Sequence, residues 1–362
     1  MKKIDGFSKG MGIGGWLTNY KRFNVLPDKW RFPITIGDME HFRSYITPWD
    51  IQNIAEMGMD HVRIGFDQIV TEAEPYAYRD EIFDLLRRIV DACRENHLIC
   101  VLNLHKAVGN YCDITEKVGL LDSDELQARF IALWEKCEEV FSDCDHVYFE
   151  LLNEVRDVEP NKWNDLAEKT LAALRRKNKN RVVIIGTTCW NSPDTLKDLR
   201  LYDDENVIYT FHDYMPFEFT HQRGVLMANT LYYNRVMPYP GDIERYRDYY
   251  RVVENRTDAY PHYTVMDKTY IRDSLLNVKK FIDGHPDKIL WCGEFGTIRH
   301  CPVEYRENWM ADVISVLKEW DIPYSVWNYL STPNDGNRFS LVDDDTRKIL
   351  SPRLAEIIRG NV

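Results

Sequence analysis

Eight times along the chain a short apolar run ends in polar or aromatic side chains, passes through a loop and gives way to a stretch of helical periodicity. The runs lie at residues 12–17, 61–65, 99–104, 147–152, 182–186, 207–211, 289–292 and 324–327. A strand apolar on both faces must be covered on both, and helices between successive strands return the chain for parallel pairing. Alternating units of this kind build an α/β protein with a parallel sheet. Eight of them are what a closed (β/α)8 TIM barrel requires. One such domain is therefore expected over residues 1–362. A doubly wound open sheet is the competing arrangement. Its phosphate loop has a single candidate, Gly10-Met11-Gly12-Ile13-Gly14-Gly15, and no strand precedes it as the G-x-G-x-x-G fingerprint requires.

The intervening helices carry their own signals. Thr47-Pro48-Trp49-Asp50 sets an N-cap with proline in the first turn, and Gly58 closes that helix. Ser123 precedes Asp124-Glu125, whose charge suits a helix N-terminus, and a helix to about Phe141 follows. Ser192-Pro193-Asp194 repeats the cap-plus-proline device, and residues 80–96 and 161–177 read as long amphipathic helices. One interval is anomalous. The stretch between the runs starting at 207 and 289 is much longer than the others, and residues 217–262 within it are crowded with Tyr, Phe, Arg and Asp. An inserted lid or subdomain between strand 6 and helix 6 is expected there, with the aromatic content favouring order.

Composition removes several partners. With 46 Lys and Arg against 58 Asp and Glu, the formal charge is −12, which argues against tracking nucleic-acid phosphates or docking on an anionic membrane. The longest apolar runs, 99–102 and 182–185, fall far below the ~18 residues of a spanning helix. Lys2 and Lys3 open the chain as a leader peptide would, but Asp5, Ser8 and Lys9 interrupt any apolar core. The expectation is a cytoplasmic monomer, secreted only if a signal was removed. The eight cysteines, at 93, 100, 112, 137, 144, 189, 292 and 301, show no C-x-x-C and no zinc spacing, so reduced thiols are expected.

In a barrel the C-terminal strand ends converge on the active site. Those ends carry Arg63, His105, Asn153-Glu154, His212-Asp213-Tyr214, Gly293-Glu294-Phe295-Gly296 and Trp327-Asn328-Tyr329. A lone strand-end Glu is ordinarily a solvated or salt-bridged rim residue, a lone His a satisfied core residue, and a lone Trp part of the core. Two glutamates, Glu154 and Glu294, on the fourth and seventh of eight strands face each other across the barrel, in the company of Arg63, His105, His212 and Tyr214. Glycoside hydrolysis needs such a pair, one carboxyl held protonated for the leaving oxygen and one ionised to attack carbon or activate water. A metal site is not expected, because no strand end pairs a His with a second nearby ligand except His212-Asp213, and no cofactor is expected either.

Taken in order, Gly14-Gly15-Trp16, His61-Val62-Arg63, Leu104-His105, Asn153-Glu154, Phe211-His212-Asp213-Tyr214, Gly293-Glu294-Phe295-Gly296 and Trp327-Asn328-Tyr329 resemble glycoside hydrolase family 5, whose members are (β/α)8 retaining glycosidases. The resemblance covers almost the whole chain. It is strongest to the small endoglucanase C type, which shares Phe219-Thr220-His221-Gln222 and Tyr239-Pro240-Gly241 within an insertion over the cleft. It implies Glu154 as acid/base with Asn153 on the sugar 2-hydroxyl. It implies Glu294 as nucleophile held by Arg63 and Tyr214, with His105 and His212 lining the cleavage subsite and Trp327 beneath that sugar. Trp190, after the fifth strand, is a candidate product-side platform, with core packing as the alternative. Two departures stand near the substrate: Val155 where the family usually has Pro, and Asn103 and Lys106 at positions often held by Asp and His. The implied activity is a retaining endo-β-1,4-glucanase on cellulose-type and mixed-linkage β-glucans, using an oligo- or polysaccharide substrate. The alternatives are an exo-acting β-glycosidase on short oligosaccharides, an endo-β-mannanase or xylanase, and a non-catalytic carbohydrate-binding barrel.

Overall fold

In a computed structural model, which describes residues 2–18, 34–110, 119–332 and 335–362, eight parallel strands close into a barrel. They are β1 (Lys9–Leu17), β2 (His61–Asp67), β3 (Ile99–Lys106), β4 (Val147–Glu150), β5 (Val183–Gly186), β6 (Val207–Asp213), β7 (Ile289–Phe295) and β8 (Tyr324–Val326). Each pairs with its sequence neighbours, and β1 also pairs with β8 to close the ring. Every expected run is a strand. The observed strands differ at their ends because residues such as Lys9, Asp67, Lys106 and Asp213 complete the ladders with backbone bonds that apolar patterning does not register.

Helices α1 (Pro48–Glu56), α2 (Asp80–Glu95), α3 (Asp124–Phe141) and α4 (Pro160–Lys177) follow the first four strands; α5 (Leu276–Gly284), α6 (Val303–Glu319) and α7 (Pro352–Ile358) follow the last three. At α1 the backbone N–H of Thr47 donates to Asp50 while Pro48 takes the first turn, where its missing N–H is harmless. The Ser123 hydroxyl accepts from the Leu126 amide at the start of α3. The device at Ser192-Pro193 leads instead into a 3₁₀ helix, Pro193–Asp198. It is only six residues long, too few for the packing that stabilises a full amphipathic helix.

The barrel interior is layered. Its lower end is apolar, with Phe7 packing against Val101, Tyr148, Ile184, Ile208, Ile289 and Trp291 from five strands. Two residues further along, the same inward faces present Arg63, Asn103, Glu150 and Thr210, all fully buried. The main core lies between strands and helices and holds Trp16, Trp134, Trp163 and Trp309. Their indole N–H groups donate to the carbonyls of Phe42, Leu151, Gly186 and Met215 respectively. Three of those carbonyls lie at or just beyond the ends of β4, β5 and β6, so buried Trp side chains hold in place the strand ends that carry the polar residues.

Between β6 and α5 the chain forms a short helix Phe217–Thr220, a helix Ala228–Tyr233 and a helix Ile243–Glu254. Gly241–Asp242 pairs antiparallel with Val265–Met266 and draws the ends of that last helical segment together. Cys93, Cys100, Cys137, Cys144, Cys189, Cys292 and Cys301 are free thiols, while Cys112 lies outside the described residues. Among the described residues no helix is long and apolar enough to cross a membrane.

Candidate active site

Arg63 sits on β2 at the centre of the polar layer, with no exposed surface. Its guanidinium donates to both oxygens of Glu150 (2.6 and 2.8 Å), to Asn153 Oδ1 (2.6 Å) and to Glu294 Oε1. Glu150, on β4, was not a sequence candidate. It is nevertheless the bidentate partner that fixes the plane of the guanidinium. The available signal was its parity: two residues after inward-facing Tyr148, a strand Glu had to enter the lumen and find a cation there.

Glu294 reaches this layer through an irregularity in β7. Cys292 pairs with Phe211 and Glu294 with His212, so Gly293 is an extra residue, a bulge of the kind that re-aims a side chain. Gly293 is required there, since a Cβ would lie 2.6 Å from Thr210 Oγ1. The second oxygen of Glu294 accepts from the Tyr214 hydroxyl at 2.8 Å. Glu294 is thus furnished with a cation and a hydroxyl donor.

Glu154 lies one residue past Asn153 in the loop after β4. It retains 19 % side-chain exposure, and burial pushes its carboxyl up to about 7, with Arg63 opposing and Glu150 adding to the rise. His212 Nδ1 is 2.9 Å from Glu154 Oε1 and 3.8 Å from Glu294 Oε2. One ligand-type atom each from Glu154, His212 and Glu294 lie within 4.8 Å of one another. It is therefore Glu154, not the neighbouring Asp213, that meets His212. Asp213 is turned away, accepting from the Met215 amide at 3.1 Å. The Arg63 guanidinium adds a permanent positive charge to this group, and both Glu294 oxygens already accept bonds. The set is arranged for moving a proton more than for holding a cation.

His105 and Trp327 form the adjoining wall, their rings stacked at 5.4 Å and 12°. Gly12 and Gly14 of β1 make room for the indole, since a Cβ on either would lie 2.8 Å from it. That close approach gives the glycine-rich stretch a purpose unconnected with phosphate. Asn103 is buried in the lumen and its Oδ1 is 2.9 Å from His105 Nδ1, so one departure from the family pattern orients this histidine. Lys106 is buried opposite Asp67 in the β2–β3 register. Beyond Trp327, Phe339, Tyr214, His221 and Phe217 continue as a run of ring contacts into the segment after β6.

Trp190 stands apart from this group. It is half-buried at the end of β5, and its backbone N–H donates to Val155 O at 2.8 Å. Cys189, Trp190 and Asn191 have φ of 53°, 58° and 58°. Left-handed backbone costs an L residue roughly 1–2 kcal/mol, so three in succession must be held by their surroundings. Asn191, fully buried, is the second residue missed in the sequence. Its amide donates to Asn153 O and lies 3.2 Å from His212 Nε2.

A family profile described as Cellulase (glycosyl hydrolase family 5) matches residues 28–332. Endoglucanase C of Acetivibrio thermocellus is 33% identical over 363 residues, covering 97% of this chain and 98% of that protein. Cellodextrinase A of Ruminococcus flavefaciens is 27% identical over 89% of this chain and 85% of its own length. Among solved structures, a hyperthermophilic endo-β-1,4-glucanase in complex with substrate superposes with a TM-score of 0.74 at 24% identity, over 98% of this chain and 97% of that one. Thermotoga maritima Cel5A in complex with mannotriose superposes with a TM-score of 0.73 at 23% identity, over 97% of both chains.

Proposed function

The chain belongs to glycoside hydrolase family 5, the cellulase family, and from that membership we propose that it is a retaining endo-β-1,4-glucanase acting on cellulose-type and mixed-linkage β-glucans. The observation that carries the mechanism is the spacing of Glu154 and Glu294, with carboxylate oxygens within 4.8 Å of each other. Retaining glycosidases place their carboxyl groups about 5–5.5 Å apart, whereas inverting enzymes leave ~6.5–9.5 Å for a water.

The two environments divide the roles. Burial favours a proton on Glu154, the general acid, while Arg63 and Tyr214 present donors to Glu294, the nucleophile. In the first step a Glu294 oxygen bonds to the anomeric carbon, the glycosidic C–O bond breaks, and the Glu154 proton goes to the leaving oxygen. In the second, Glu154 takes a proton from water as the water oxygen displaces Glu294. Two inversions give retention. Asn153 meets the sugar 2-hydroxyl, His105 and His212 line the cleavage subsite, and Trp327 supplies an apolar face beneath the sugar. Residues 217–262 form a wall of this cleft, a role supported by the ring contacts from Tyr214 to His221 and Phe217. Trp190 is a product-side platform.

Hydrolysis of carboxymethyl cellulose and barley glucan, with little action on xylan or mannan, is the expected outcome; activity confined to mannan overturns the substrate assignment. Glu294→Gln is expected to fold normally and lose turnover by roughly 10⁴-fold or more. The similarity to Cellodextrinase A favours a second reading, exo action on short oligosaccharides. Early products from cellohexaose separate the two, since an exo enzyme releases only terminal units at first.

A further inference from the structure

We propose that Asn191 is a positioning residue that sets the tautomer of His212, and through it decides which oxygen of Glu154 carries the catalytic proton. The inference rests on the reading of Glu154 as the general acid.

The strained turn after β5 is tied to the segment that carries Glu154. Cys189 N–H donates to Arg156 O at 3.3 Å, Trp190 N–H to Val155 O at 2.8 Å, and the Asn191 amide to Asn153 O. Three bonds thus bind residues 189–191 to residues 153–156, on both sides of Glu154. The left-handed backbone at 189–191 delivers the Asn191 side chain into the barrel. Gly186 leaves space for it, since a Cβ there would lie 2.2 Å from Asn191 Oδ1.

The donor direction follows from chemistry. A backbone carbonyl only accepts, so the Asn191 atom facing Asn153 O is the nitrogen Nδ2. That same nitrogen lies 3.2 Å from His212 Nε2 and has a second hydrogen to give. Nε2 therefore accepts, and the ring proton of neutral His212 resides on Nδ1. Nδ1 then donates to Glu154 Oε1 at 2.9 Å. Burial, with the Arg63 charge nearby, keeps this imidazole neutral, its pKa lowered to about 4.

The consequence reaches the reacting proton. With Oε1 accepting from His212, Oε1 takes the carbonyl role and the acidic hydrogen is confined to Oε2. After transfer, the same Nδ1–H stabilises the carboxylate that must next act as base. In the other tautomer Nδ1 would be an acceptor, and Glu154 would donate to His212 in place of the leaving oxygen. Asn191 excludes that state, because Nδ2 and a protonated Nε2 would be two donors face to face.

The test combines NMR of ¹⁵N-histidine-labelled enzyme with leaving-group dependence. Wild-type His212 is expected to show a protonated Nδ1 and a bare Nε2. In Asn191→Asp the new carboxylate accepts, so the ring proton should move to Nε2 and leave Nδ1 bare. The kcat/KM of Asn191→Asp and Asn191→Leu for cellotetraose, whose leaving group needs an acid, should fall about 100-fold. For 2,4-dinitrophenyl β-cellobioside, whose leaving group needs none, it should fall by less than about fivefold. Equal losses on both substrates, or a wild-type ring protonated at Nε2, overturn the proposal. Wild-type enzyme silent on both substrates overturns the glucanase reading instead, and the NMR result then still decides the tautomer. Asn191→Asp, closest in shape, keeps the test open if Asn191→Leu does not fold.

Discussion

Arg63 shows how far single residues constrain one another in this protein. One guanidinium, with no exposed surface of its own, serves Glu150, Asn153 and Glu294, so its charge is shared between two carboxylates. Removing one partner of a buried pair leaves a charge in a low-dielectric interior, at a cost of about 3–5 kcal/mol. Arg63→Met is therefore expected to lower unfolding free energy by that order as well as activity, measured by chemical denaturation at neutral pH. A loss below about 1 kcal/mol would show that the carboxylates are solvated or protonated. Glu154 and Glu294 were legible because each comes at or just past the end of an apolar run, and Arg63 because it is a lone cation within one. Glu150 and Asn191 were not. Glu150 ends β4, but the sequence run continues through Leu151-Leu152 to Asn153-Glu154, so it reads as a polar interruption of the run. Asn191 occupies a turn whose backbone no propensity favours, and its partners are 38 and 21 positions away in sequence.

Elements divide by how much of their stability is local. The long helices α2, α3 and α4 announce themselves through periodicity and caps, and the structure places them within a residue or two of the sequence expectation. Apart from the helix Ile243–Glu254, the elements of the segment after β6 are short and held by tertiary contacts, below the length at which periodicity is informative. Its centre is Glu218, buried and accepting from Tyr260 Oη at 2.5 Å and Tyr250 Oη at 3.3 Å. These pairs are 42 and 32 residues apart, so the aromatic crowding was visible in sequence but its organising carboxyl was not. Burial raises the Glu218 carboxyl from 4.5 to about 7, against the opposing pull of the tyrosine hydroxyls. The folded state therefore holds the proton more tightly than the unfolded chain. Its contribution to stability is complete below about pH 4.5 and is lost as pH rises through about 7, by on the order of 3 kcal/mol. Glu218→Gln keeps an acceptor for a tyrosine and cannot ionise. Its stability should decline less than wild type between pH 5 and 8 in urea titrations; parallel profiles would show that Glu218 is ionised and solvated.

At the scale of the whole molecule, the ring is closed by residues from opposite ends of the chain: Lys9, Gly10 and Met11 pair with Tyr324, Ser325 and Val326. Counting eight units in sequence implies that closure, because an open eight-stranded parallel sheet would expose two apolar edges. What counting does not supply is how the segment after β6 couples to the ring. In the structure it is bound at several places: Ile298 N–H donates to Thr220 O at 2.8 Å, Tyr239 Oη to Asp312 on α6 at 2.9 Å, and Phe219 packs on Trp309. Tyr239 and Tyr246 are completely buried. An independent lid would not sink its aromatics into the main core in this way, so the segment and barrel should unfold as one cooperative unit. The ten Trp residues all lie outside 217–262, so tryptophan emission reports chiefly on the rest of the chain, although Trp309, on which Phe219 packs, also senses the segment. Amide exchange of peptides from 217–262 reports on the segment. In guanidinium chloride the two midpoints should coincide. Loss of protection in the segment while tryptophan emission stays native would instead make it a separately folding lid, and the wall of the cleft would then be a moving part.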